Sequence, residues 1–283
     1  MPSDTGFPRA DAEADFLKVR RQQRVSGLAR KVRGEQRRVL SLDEVLQAVG
    51  NRGEEALGVQ SIPLDKIVGS VDKVREFDPS FRPTSGRNRA RWERLAEAVR
   101  RGQPIPPIDV YQVGDLYFVR DGHHRVSVMK ALGDTAIEAD VTRIRTTLDA
   151  SGIRGREDLR GKNLRRLFLE RVPLDRLARG EVRCAEPQHY PELAEMVEAW
   201  SARLMFREGV LLTASHAAAR WYAEEFTMVM DLARDGGFVE PGEDEGDAYV
   251  RLAGTRYHLM GAHVWSEEVF EEIARSRRKA PKR

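Results

Sequence analysis

Five consecutive residues, Asp121-Gly122-His123-His124-Arg125, set a carboxylate, two imidazoles and a guanidinium around one glycine. The apolar run before them, residues 116–119, has strand character, and residues 125–132 have the composition of a short helix closed by Gly133. A strand–glycine–helix corner points unpaired helix N–H groups outward, at the positive end of the helix dipole, where anions are favoured. Arg125 can add a bidentate contact to phosphate oxygens that lysine could not reproduce. Gly122 permits the bend and lets a phosphate approach the backbone. The chemistry to expect is that of nucleotide phosphates.

Asp121 can accept a proton from an attacking hydroxyl or hold Mg²⁺ between phosphates; it can equally bond backbone N–H groups in an Asx turn. His123 and His124 can donate to phosphate, or one can act as acid and base. Adjacent side chains at a helix start diverge by about 100°, so one of the two imidazoles is expected to be structural, and a metal site from the pair alone is not expected. The catalytic candidates at the corner are Asp121, His123 and His124, with Asp121 also the metal ligand. Gly122, Arg125 and Ser127 are the expected cofactor contacts. The reading requires the guanidinium to face an open cleft.

Behind the corner, Pro104, Pro106 and Pro107 force an extended entry into Ile108-Asp109-Val110-Tyr111, and Gly114-Asp115 turns the chain into the next strand, predicting a hairpin. Residues 137–144 alternate as a further strand. A helix starting at Ser85 or Arg87 puts Trp92, Leu95, Ala96 and Val99 on one face and stops at Gly102. Upstream, residues 1–10 read as disordered and 12–40 as a basic helix with a sparse apolar stripe of Phe16, Val19, Leu28 and Val32. Ser41 and Glu44 have capping-box spacing before a helix burying Leu42, Val45, Leu46 and Val49. From residue 158 the pattern is helical. Pro191 suits a first turn, Thr213 or Ser215 can cap a longer helix carrying Trp221, Tyr222, Phe226, Val229 and Leu232, and two more follow over 248–260 and 266–275.

The 283 residues suffice for one large or two ordinary domains; 41% hydrophobic content supports a core, and 33% charged content describes an ionic surface. No apolar run reaches the roughly 18 residues of a membrane helix, and no hydrophobic signal core opens the chain, so a cytoplasmic protein without a membrane partner is expected. The single cysteine, Cys184, excludes an internal disulfide and a cysteine-based zinc site. Net charge is +3, with basic clusters at both ends and an acidic loop over 240–247. Such clusters, with Arg82, Arg87, Arg89 and Arg91 beside Trp92, can follow a DNA backbone or serve as solvated surface.

The corner resembles the signature of the ParB/sulfiredoxin superfamily. Partition ParB proteins carry G-E-R-R there, sulfiredoxin G-C-H-R, and the free-serine kinases of this fold D-G-H-H-R. Ile62-Pro63-Leu64-Asp65-Lys66-Ile67 is similar to the ParB opening strand, Val74-Arg75-Glu76-Phe77-Asp78 to its first nucleotide-contacting box, and residues 104–110 to its Q-P-I-x-V strand. The resemblance implies a role for Arg75 in phosphate contact and for Glu76 as a catalytic base. It excludes sulfiredoxin chemistry, because His123 replaces the required cysteine. From ParB the chain departs in lacking G-E-R-R and a following E-N-x-Q-R box.

The expected fold is α+β: a small ParB/sulfiredoxin-like mixed-sheet domain over 59–147, a basic helical extension over 1–58, a C-terminal all-α domain over 158–276 and a basic tail over 277–283. The expected function is binding of ATP or another nucleoside triphosphate with Mg²⁺, for phosphoryl transfer or NTP hydrolysis. The alternative is a ParB-like DNA-binding partition protein or transcriptional regulator gated by nucleotide. A homodimer is a possible partner state, and a scaffold without catalysis is the third reading.

Overall fold

The computed structural model describes residues 4–34, 38–261 and 265–279, and divides into two compact units, residues 1–159 and 160–283. The first unit contains α1 (Pro8–Arg33), β1 (Leu40–Ser41), α2 (Leu42–Val49), β2 (Asn51–Pro63), β3 (Ile67–Ser70), α3 (Arg89–Arg100), β4 (Ile108–Val113), β5 (Leu116–Asp121), α4 (His123–Leu132) and β6 (Ala136–Thr146). Its mixed six-stranded sheet runs β1-β3-β5-β4-β6-β2. β4 and β5 form the expected antiparallel hairpin, Val113 opposite Leu116, while β3 runs parallel to β5 with Ser70 beside Val119. The carboxyl ends of β3 and β5 therefore lie side by side, the place where sheets with parallel strands present ligands.

Two clusters hold this unit. Ile62, Ile67, Phe77, Phe81, Ile108, Val119 and Val126 fill one side. Ala12, Phe16 and Val19 of α1 close with Trp92, Ala96 and Val128 in the other. Leu95 and Val99 are only partly buried against it. Phe16 meets the Trp92 ring edge-on at 5.5 Å, and Arg100 pairs with the buried Asp15.

Several local expectations change. Helix α1 already includes residues 8–10, which were expected to be disordered, and stops at Arg33, where Gly34 takes a left-handed conformation; Leu28 and Val32 are 68% and 84% exposed rather than part of a buried stripe. Ser41 precedes α2 but its side chain caps nothing; its backbone pairs with Ser70 in the sheet, and Glu44 reaches Arg156 at 2.6 Å instead. Strand pairing here outweighs the local cap. β2 is a 13-residue strand, pairing with β6 from Asn51 onward, well upstream of Ile62. Residues 1–3 and the last four of the basic tail, 280–283, lie outside the described residues.

The second unit is helical. α5 (Arg156–Arg171) leads into it, followed by α6 (Ala178–Glu181), α7 (His189–Glu208), α8 (Ala214–Trp221), α9 (Thr227–Asp235), α10 (Glu245–Met260) and α11 (Glu267–Lys279). Thr213 caps α8, accepting the His216 N–H at 3.3 Å. A π-turn over Tyr222–Phe226 joins α8 to α9 without a break, so this segment offers no helix-turn-helix. Trp221, Phe226 and Tyr249 pack ring to ring in the core, and buried Glu225 accepts from the Tyr249 hydroxyl at 2.6 Å and the Trp265 indole at 3.2 Å. Among the described residues no helix is long and apolar enough to cross a membrane.

Candidate functional site

The corner forms as a strand–glycine–helix junction, with α4 starting at His123 rather than Arg125. Gly122 takes φ +98°, and a Cβ there would sit 2.3 Å from Ile108 Cγ2. The glycine is thus required by its left-handed backbone and by the β4 side chain beneath it; Ile108, rather than a ligand, makes the close approach.

Arg125 does not face an open cleft. Its guanidinium donates to the Pro106 carbonyl at 2.8 Å, to the Pro107 carbonyl and to the Asp121 carboxylate, leaving the side chain 16% exposed. The proline run strips its own segment of N–H groups and leaves carbonyls free, which the arginine gathers. Asp121 holds the arginine, in place of the expected metal. Ser127 points between helices, where its Oγ accepts the buried Trp92 indole N–H at 3.0 Å.

Both histidines are buried, 2% and 9% exposed. His123 Nε2 lies 2.7 Å from Ser70 Oγ, which also accepts the Lys73 N–H at 2.8 Å. Nε2 is thus committed to Ser70, as donor or acceptor according to the ring's tautomer, and Nδ1 is the ring nitrogen left over. Among the described residues neither His123 Nδ1 nor His124 Nδ1 has a hydrogen-bond partner. Burial, reinforced by Lys73 and opposed by Asp72, pushes the His123 pKa down to about 4. Burial followed by Arg91 and Lys73 does the same to His124. Both rings are therefore neutral at pH 7.

The segment after β3 covers this pair. Phe77 stacks on His123 at 5.8 Å and meets His124 edge-on at 5.4 Å. Arg75 and Glu76, immediately before it, are exposed and so belong to the strap over the corner. The strap is pinned by buried Asp78, which accepts the Ser80 and Arg82 N–H groups and the Arg30 guanidinium, and Phe81 takes φ +57°, a strained conformation for an aromatic residue.

Lys73, Ser70 and Lys130 were not singled out by the sequence. Lys130 borders a cleft of about 920 Å³ at the far end of α4, shared with Lys18, Asp65, Arg82 and Thr135; it donates to the Ile67 carbonyl at 3.0 Å, and burial pushes its pKa down to about 8. Ser70 ends β3, Lys73 follows it and Lys130 lies within α4, and no local pattern in the sequence marks any of the three.

The donor set fits a phosphate chain: α4 begins without a side-chain cap, two neutral imidazoles have unused nitrogens, and Lys73 and Arg91 supply positive charge. Mg²⁺ accompanying a nucleotide takes one or two carboxylates beside the phosphates, and Asp121 would have to release Arg125 to supply one.

Sulfiredoxin from Arabidopsis thaliana is 24% identical to this chain, covering 29% of it and 82% of the sulfiredoxin, with a TM-score of 0.23. A Pnob8-like ParB-N domain is 13% identical over 80% of this chain and 82% of its own, also with a TM-score of 0.23. No curated protein matches the chain. The model of the ParB N-terminal domain family matches residues 51–153, from the first residue of β2 to just beyond β6. Over residues 51–153, about a third of its length, the chain is accordingly similar to the ParB N-terminal domain family.

Proposed function

We propose that the first unit is a nucleotide-responsive switch, binding the phosphates of a nucleoside triphosphate where α4 begins. The observation that carries this reading is the pair of buried, neutral imidazoles with unpartnered Nδ1 atoms beside an uncapped helix start. An unsatisfied buried donor costs about 1–3 kcal/mol, a penalty that a phosphate oxygen would remove. The phosphates would be held by the first α4 amides, His123 or His124, Lys73 and Arg91, with Arg125 and Asp121 fixing the corner's shape.

Phe77 lies over both rings, so entry of a ligand displaces the strap carrying Arg75 and Glu76. That coupling favours a switch over an open catalytic site. Phosphoryl transfer would require Glu76 or Asp121 to act on a hydroxyl once the strap has moved, and Asp121 would first have to release Arg125.

A ParB-like DNA clamp gated by nucleotide is the second reading, favoured by the family match and by Arg75, Arg87 and Arg91, which are exposed and without ion pairs among the described residues. By contrast Arg82 and Arg89 are engaged by Asp78 and Glu93.

Calorimetric titration of the full chain with each nucleoside triphosphate tests the shared premise. Binding is expected, weakened at least tenfold in Lys73→Ala (about 1.4 kcal/mol). Absence of binding with every nucleotide, or equal affinity in the variant, overturns the reading. A DNA shift assay with and without nucleotide, repeated at rising salt, separates the clamp from a switch that acts on no nucleic acid.

A further inference from the structure

Helix α1 is apolar on two opposite sides, and only one is covered. Ala12, Phe16 and Val19 pack on α3, and the same side is fastened further along by Arg20 to the Pro83 carbonyl at 2.6 Å and Arg30 to Asp78 at 3.3 Å. Across the helix, Leu17, Val25, Leu28 and Val32 are 57%, 65%, 68% and 84% exposed. With exposed Ala10, Ala14 and Arg21 they form one stripe about 33 Å long, rising 1.5 Å per residue. A rigidly held helix thus presents a long apolar seam that isolated surface leucines do not make.

The seam's spacing identifies what fits it. From Ala10 to Val32 its steps are four, three, four, four, three and four residues, the same in both directions about Arg21. These are the steps of a helix–helix seam. Turned end to end on a copy of itself about Arg21, the stripe places Ala10 against Val32, Ala14 against Leu28 and Leu17 against Val25. Small residues meet large ones in the two outermost layers on each side, and Leu17 meets Val25 nearer the centre. Arg21, at the centre, has a stem long enough to carry its charge out to water.

Charge selects the same direction. From Phe16 to Arg33 the helix contains no acid and seven bases, whereas its acids, Asp11, Glu13 and Asp15, all lie before that point. Parallel pairing would set each base beside its own copy. Antiparallel pairing brings the half-exposed Glu13 of one helix within about 3 Å along the axis of the level of Lys31 on the other, on the same flank of the seam.

We propose that the outer face of α1 is the docking surface for a second copy of this chain, paired antiparallel about a two-fold axis at Arg21. The interface is isologous and closes at two copies.

Sedimentation equilibrium of the full chain over a concentration series tests this. A dimer is expected, with association weakened at least tenfold in the Val25→Glu/Leu28→Glu variant while its circular dichroism and unfolding midpoint stay as in the wild type. Under oxidation Arg21→Cys should form a disulfide with its own copy and Leu28→Cys should not; the buried Cys184 makes the unmodified chain the blank. A monomer at every concentration, a dimer indifferent to the double substitution, or cross-linking of Leu28→Cys in preference to Arg21→Cys each overturns the proposal.

Discussion

Two histidine environments, one in each unit, show how burial alone fails to define a role. In the helical unit, His189 Nδ1 lies 2.7 Å from Asp247, whose other oxygen accepts the Ala185 N–H at 2.7 Å. Asp247 thereby ties the turn before α7 onto α10 as a strap. At the start of α4, His123 and His124 are more deeply buried, yet each leaves Nδ1 unpaired among the described residues; His124 has Arg91 and Lys73 as its charged neighbours, and His123 has Lys73 opposed by Asp72 and Asp121. The satisfied histidine stabilises; the unsatisfied pair carries a cost that the proposed phosphate contact would remove.

The largest effect separating the two sites is set by pH. An imidazole that protonates near pH 4 when folded and near 6.5 when unfolded supports the fold fully above pH 6.5, and that support is lost as pH falls toward 4. The expected loss is about 3 kcal/mol for each ring. Carbon-detected titration of the ring resonances checks it; ordinary midpoints near 6.5 for both rings would erase the contrast.

Next in size is Asp247→Ala. It strips acceptors from His189 and from the Ala185 amide and is expected to cost about 3 kcal/mol in urea unfolding of the helical unit. A cost below half of that would mean the strap is not the satisfied partner described above.

The smallest effect is the most discriminating. His124→Phe replaces an unpaired imidazole by an apolar ring in an aromatic setting, so stability should change by less than about 1 kcal/mol, or rise. Nucleotide affinity should nevertheless fall. A strongly destabilised variant would show that His124 is bound into the core as His189 is into its strap.

Much of the scaffold could be read along the chain. The 108–121 hairpin, the glycine bend, α3 with Trp92 inward and the Thr213 cap depend on neighbours within a few residues, and such signals survive folding. The capping box at Ser41 and the Leu28 and Val32 end of the α1 stripe failed for the opposite reason. β1 pairing and the finite width of α3 decided them from outside the segment.

The amino-acid order by itself determined that a glycine-bent corner would carry an acid, two imidazoles and an arginine, because a left-handed turn between strand and helix is a local matter. Only tertiary structure decided where those groups point. The carbonyls of Pro106 and Pro107, about 18 residues back along the chain, captured Arg125, and Phe77, nearly fifty residues upstream, closed over the imidazoles. Hydrogen-bond acceptors and ring faces are claimed by whichever partner the packed fold brings nearest, and sequence distance does not enter that contest.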